Sequence, residues 1–148
     1  MGAVKTAALP ESSALNRFVQ AGDFADCYCV PSERNVRHAA EQIVQFPPWV
    51  QVLMGLRKIV TAPFGLKNDV SEGVETIGFF PIELETDREI IAGFDDKHLN
   101  FRISILALEG VVYMSTWVRP HNLGGRIYLT TVMPFHILIC RSALKRLA

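Results

Sequence analysis

Three groups of residues in this chain of 148 have the types and spacing that chemistry uses. Asp95, Asp96 and His98 stand together just ahead of a β-forming run. A carboxylate beside a histidine can orient the imidazole as a general base. The same residues also suit a turn, where aspartate side chains accept from nearby backbone N–H groups, and no nucleophile sits nearby. Arg102, on the polar side of that run, could face solvent or hold a carboxylate in its fork of donors. Arg126, Tyr128 and His136 belong to the last stretch. Arg126 and Tyr128 are two apart and do not share a helix face. An arginine at a helix start meets the positive pole of the dipole, so Arg126 is expected to pair with Asp95 or Asp96. His136 follows Pro134-Phe135 in an apolar run and reads either as a core histidine or as a proton-transfer group. Asp96, His98 and His136 are the candidate acid/base residues.

Other chemistries find less support. The four histidines (38, 98, 121 and 136) contain no pair four apart, so no metal site is expected. The chain has no nucleophile elbow, no P-loop, no CxxC pair and no glycine-rich dinucleotide fingerprint, and no cofactor is expected. Fifteen basic and fifteen acidic residues cancel, which leaves no electrostatic reason for a nucleic acid or an anionic membrane as partner. Cys27 and Cys29 would point the same way from a strand, a poor geometry for a mutual disulfide. Three unpaired thiols fit a cytoplasmic protein. The opening MGAVKTAALPESS lacks the apolar core of a signal peptide, and its Gly2 and Thr6 fit an acylation pattern only formally.

These residues must be positioned by the following elements. Residues 1–21 read as an irregular lead-in, broken by Pro10 and Ser12-Ser13. Residues 23–30 alternate and are rich in β-formers, which predicts a first strand. Ser32 can cap a short helix whose stripe is Val36, Ala39, Ala40 and Ile43. Pro47-Pro48 ends it and starts another that carries Trp49, Val52, Leu53, Leu56, Ile59 and Val60. Four strands follow at 77–85, 88–94, 99–108 and 111–119, joined by hairpin-length turns. Leu99, Phe101, Ile103 and Ile105 form one apolar face, opposite Asn100, Arg102 and Ser104, and that face needs cover. The run 122–148 supplies it as a long helix, which Pro134 should kink or split. Its apolar core, 127–140, is shorter than the roughly 20 residues a membrane crossing needs, so no membrane insertion is expected.

The order β, α, α, four strands and a long α predicts a single α+β domain over 1–148. Its architecture is helix-grip, an antiparallel sheet wrapped on the C-terminal helix. A small apolar or amphipathic molecule would then lie between sheet and helix. Trp49, Phe101, Arg102, Tyr113, Trp117, Arg126 and Tyr128 are the expected ligand contacts, with Phe79 and Phe135 as further aromatics near such a cavity. A cyclase or isomerase with dispersed acid/base residues, and a protein-interaction domain without a ligand, remain open beside that reading.

Two stretches carry a resemblance. One is Gly93-Phe94-Asp95-Asp96-Lys97-His98-Leu99-Asn100-Phe101-Arg102. The other is Gly125-Arg126-Ile127-Tyr128 followed by Pro134-Phe135-His136. With the Trp49 segment and Gly65-Leu66-Lys67, they resemble the bacterial family called domain of unknown function 2867, from about Asp23 onward. Asn100 stands where that family's pattern favours an aspartate. The resemblance implies a fold related to the lipid-transfer and polyketide-cyclase superfamily and no established activity.

Overall fold

A computed structural model of the chain describes residues 4–43, 76–77, 80–95 and 99–147. The predicted helix at Trp49 to Val60 lies outside the described residues, as do Phe79, Asp96 and His98.

Seven strands form one antiparallel sheet: β1 (Lys5–Thr6), β2 (Phe24–Pro31), β3 (Thr76–Ile77), β4 (Phe80–Glu85), β5 (Glu89–Asp95), β6 (Leu99–Leu108) and β7 (Val111–Pro120). Their order is β1-β2-β7-β6-β5-β4-β3. The last four form a meander, and the N-terminal pair β1–β2 adds along its β7 side. The β6–β7 hairpin turns on Glu109 and Gly110, both at positive φ; that backbone matches the right-handed twist of the strands it joins. In β5, Gly93 has φ +146°, and a Cβ there would lie 2.9 Å from the Cα of Arg102. Only glycine lets β5 and β6 approach so closely.

Period-two alternation gives the sheet two apolar faces. Helix α1 (Val36–Ile43) and helix α2 (Leu123–Lys145) cover the first. There Tyr28 and Val30 of β2, Val112 and Met114 of β7, Ile105 of β6 and Ile90 of β5 pack with Ala39, Ala40 and Ile43 of α1. Cys140, Ala143 and Leu144 of α2 complete that core. Asn35, rather than Ser32, caps α1, accepting from the backbone N–H of His38 at 2.8 Å. Asn122 caps α2 by accepting from the N–H of Gly125. Pro134 does not split α2, which runs unbroken for 23 residues. At its far end Arg146 donates to the carbonyls of Gln42 and Ile43, tying it to the end of α1. A sheet with a long C-terminal helix held on one face is the helix-grip arrangement predicted.

The opposite face corrects the expectation of an irregular lead-in. Residues 9–19 fold over it through a 3-10 turn at Ala14–Arg17, and Leu15 packs with Ile91 and Trp117. Glu89 fixes the turn from below. Its buried carboxylate accepts from the hydroxyls of Ser13 and Ser104 and, at 2.8 Å, from the N–H of Ala14. A buried carboxylate with three donors is satisfied where an unpartnered one would cost several kcal/mol. Sequence periodicity gives no sign of this cover, because a single turn has no repeat to display.

Candidate functional site

Alternation along β2 places Asp26 on the helix-covered face, between Phe24 and Tyr28. Its register partner on β7 is Thr116. Above them α2 presents His136 and, one turn later, Cys140. The imidazole Nε2 donates to Asp26 Oδ2 at 3.0 Å, and the Cys140 Sγ lies 3.6 Å from each ring nitrogen. Phe24 meets the ring edge-on at 6.2 Å between centroids. Carboxylate, imidazole and thiol therefore meet in the layer between sheet and helix, with the sulfur equidistant from the two ring nitrogens.

This polar group is short of partners. Asp26 Oδ1 and Thr116 Oγ1 are both buried with no hydrogen-bond partner, although buried polar atoms are nearly always bonded. His136 and Asp26 keep only 20% and 17% of their side-chain surfaces exposed. Burial opposes the charged form of His136, but the hydrogen bonds and charges of Asp26 and Cys140 outweigh it, and the imidazole is pushed up to about 10. At neutral pH it is an imidazolium paired with a carboxylate.

The floor beside this group is apolar. Phe24 and Phe101 both stand opposite Val118 in register. The turns of α2 before His136 carry Tyr128, Leu129, Val132 and Met133, all half-buried. The outward face of α2 is apolar too, with Leu123, Ile127, Phe135, Ile137 and Leu138 exposed. Only Gly125, Cys140, Ala143 and Leu144 of the helix are buried. Among the described residues α2 is long and apolar enough to cross a membrane by length and composition.

Of the predicted ligand contacts, Phe101 lies on the face that α2 covers, and Tyr128 lies on α2 itself. Arg102, Tyr113 and Trp117 do not: strand alternation sends them to the opposite face. There Trp117 is buried and donates from Nε1 to Asp23 at 2.9 Å, and Phe18 packs against it with its ring tilted by 40° at 5.3 Å between centroids. Arg119 bonds Asp23 at 2.7 Å and sits over Trp117. Its guanidinium holds the Asp23 carboxyl well below the usual carboxylate range. Arg102 bonds Glu83 at 2.7 Å and lies over Phe18. These residues latch the N-terminal segment, which is a structural duty.

Arg126 is exposed on the first turn of α2 and forms no ion pair among the described residues. Asp95, one of its two expected mates, is instead bonded by His121 at 2.6 Å. Asp96, His98 and Trp49 lie outside the described residues. Three members of the polar group, Asp26, Thr116 and Cys140, escaped sequence reasoning. The available signal was a carboxylate on the inward side of an alternating strand, and a cysteine four residues after a histidine. Among the described residues no cluster of histidine, cysteine and carboxylate is suited to hold a metal ion.

A family model described as "Protein of unknown function (DUF2867)" matches residues 19–143, and the chain belongs to that family. No curated protein and no solved structure matches it.

Proposed function

We propose that this family member binds a small amphipathic molecule between the sheet and α2. The observation that supports this is the charged Asp26–His136 pair with two unpartnered oxygens, Asp26 Oδ1 and Thr116 Oγ1, inside an otherwise apolar layer. Desolvating such a pair costs several kcal/mol, and apolar residues of like volume would serve a purely structural layer as well or better. A ligand that uses the polar group accounts for its presence. Its polar end would be a hydroxyl or amide, donating to Asp26 Oδ1 and accepting from the Thr116 hydroxyl. Its apolar part would lie on Phe24, Phe101 and Val118, beneath Tyr128. The three free thiols fit a reducing compartment, so the reading is of a cytoplasmic binding protein.

A second reading is acid/base catalysis of the cyclase or isomerase kind. The observation favouring it is the same imidazolium, which carries a transferable proton held against a carboxylate.

Thermal melts with a series of long-chain alcohols and primary amides test the binding reading. Binding to the folded state alone raises Tm with ligand concentration, and the rise is expected to grow with chain length. Asp26→Asn and Thr116→Val are expected to reduce the rise while the unliganded protein still melts cooperatively. No Tm shift from any member of the series, at concentrations up to its solubility, would overturn the reading.

A further inference from the structure

We infer that the outward face of α2 docks on a membrane surface that carries anionic phospholipid, with the helix lying along the headgroups rather than crossing the bilayer. The inference goes beyond the ligand reading and stands without it. Among the described residues every exposed large apolar side chain belongs to α2: Leu123, Ile127, Phe135, Ile137 and Leu138. Leu123 is 72% exposed, and Ile127 and Leu138 are each 59% exposed. At roughly 3.6 residues per turn, Leu123, Ile127, Ile137 and Leu138 fall within about 100° of arc, with Phe135 at its flank. Apolar residues scattered singly over a surface need no explanation, but a continuous stripe marks a site of contact.

The charges on the helix indicate what the stripe meets. The 23 residues of α2 include no aspartate or glutamate. Arg126 flanks the stripe near its start, and Arg141 and Lys145 continue it at the far end. All three are exposed, and none is in an ion pair among the described residues. Asp95, near the start of the helix, and Asp26, beneath it, are taken by His121 and His136. The neutral balance of the whole chain conceals this, because the balancing carboxylates stand on other elements. A second copy of α2 fits poorly. Two such helices face to face, in either direction, bring cations against cations with no carboxylate to offset them. Anionic headgroups complement the cations while the acyl region takes the apolar side chains, as for an interfacial helix. Arginine and lysine can lay their stems on apolar surface and keep the charge among the headgroups.

By length and composition α2 could span a bilayer, but its inner side is committed to the sheet. Cys140, Ala143 and Leu144 belong to the core, and His136 is bonded to Asp26. Arg146 holds the carbonyls of Gln42 and Ile43. Spanning would strip away all of these contacts, and lying flat breaks none. The cytoplasmic leaflet is the one that carries anionic lipid, in keeping with the three free thiols.

The test sediments the whole folded chain with vesicles of phosphatidylcholine, alone or mixed with phosphatidylserine, at low and high salt. Binding to the mixed vesicles is expected, weaker at high salt and at least about tenfold weaker without phosphatidylserine. Ile127→Ser with Leu138→Ser removes apolar area at exposed positions, so Tm should hold while affinity falls by at least about tenfold. Arg141→Gln with Lys145→Gln should lower affinity for the mixed vesicles by roughly fivefold per cation. Both double variants should keep the Tm shifts with alcohols and amides, which separates loss of docking from loss of ligand binding. No sedimentation with either vesicle overturns the inference. In that event, a dimer that Ile127→Ser with Leu138→Ser dissolves assigns the face to a second copy. A monomer whose Tm those substitutions lower assigns it to other residues of the chain. Binding that ignores phosphatidylserine, or that survives Ile127→Ser with Leu138→Ser undiminished, overturns the inference as well.

Discussion

Replacing His136 with glutamine gives the sharpest energetic test of the polar group. In the folded chain the imidazole is pushed from 6.5 up to about 10, so the folded state binds the proton more tightly than the unfolded state. The resulting stabilisation is fully present below about pH 6.5. Between the two values it shrinks by about a factor of ten in the folding equilibrium for each pH unit, and it is gone once pH has risen through the folded value. The full span corresponds to about 5 kcal/mol, a large part of the stability of a domain this size. The assay is urea unfolding of wild type and His136→Gln at half-unit steps from pH 5.5 to 10.5. Taking the difference removes the titration of groups common to both chains. The variant leaves Asp26 buried with a weaker partner, so it should be less stable at pH 6 by about 3 to 5 kcal/mol. The gap should close as pH rises to 10. Two curves that stay parallel across this range would refute the claim that Asp26 and Cys140 hold the proton on His136.

Further outcomes follow from the opposite face and the sheet. Glu89→Ala deprives the Ser13 and Ser104 hydroxyls and the Ala14 N–H of their acceptor. It should destabilise by about 2 to 4 kcal/mol and raise hydrogen exchange at residues 13–19 before the rest of the chain. Asp23 has its pKa lowered by the Arg119 hydrogen bond, so its contribution is present above about pH 3.8 and lost as pH falls below that. Asp23→Asn should therefore narrow its stability gap to wild type in acid urea titrations, and a gap independent of pH would contradict the pairing. Gly93→Ala puts a Cβ against the backbone of Phe101 and Arg102 at a φ that alanine disfavours. A loss of more than about 2 kcal/mol in chemical unfolding is expected.

The meander and the long helix were legible because period-two alternation and apolar run length act locally. Phe101, Ile103 and Ile105 declare their face without knowledge of any partner. The two-residue turn at Glu109-Gly110 was readable for the same reason. The N-terminal cover was not, since Leu15 earns burial only from its contact with Ile91 and Trp117, on strands far along the chain. Trp117 shows the limit of residue type as evidence. Its size suggested a ligand wall, yet its place on the strand, odd-numbered with Tyr113, sends it to the face that α2 does not cover. His136 was recognisable as unusual in an apolar run. Its partner Asp26 lies 110 residues away, and a pairing that depends on sheet register cannot be read from local spacing. Arg126 illustrates the converse: the dipole argument offers it Asp95 or Asp96, His121 holds Asp95, and Asp96 lies outside the described residues.

The central claim, that a ligand's polar end engages Asp26 and Thr116 beneath α2, is tested most directly by nuclear magnetic resonance of the isotope-labelled chain titrated with a long-chain amide. The account predicts saturable shifts at the amides of Asp26 and Thr116 and at the His136 ring, extending to Phe24, Phe101 and Tyr128. Shifts confined to the exposed residues Leu123, Ile127 and Leu138, with the His136 ring unmoved, would contradict it.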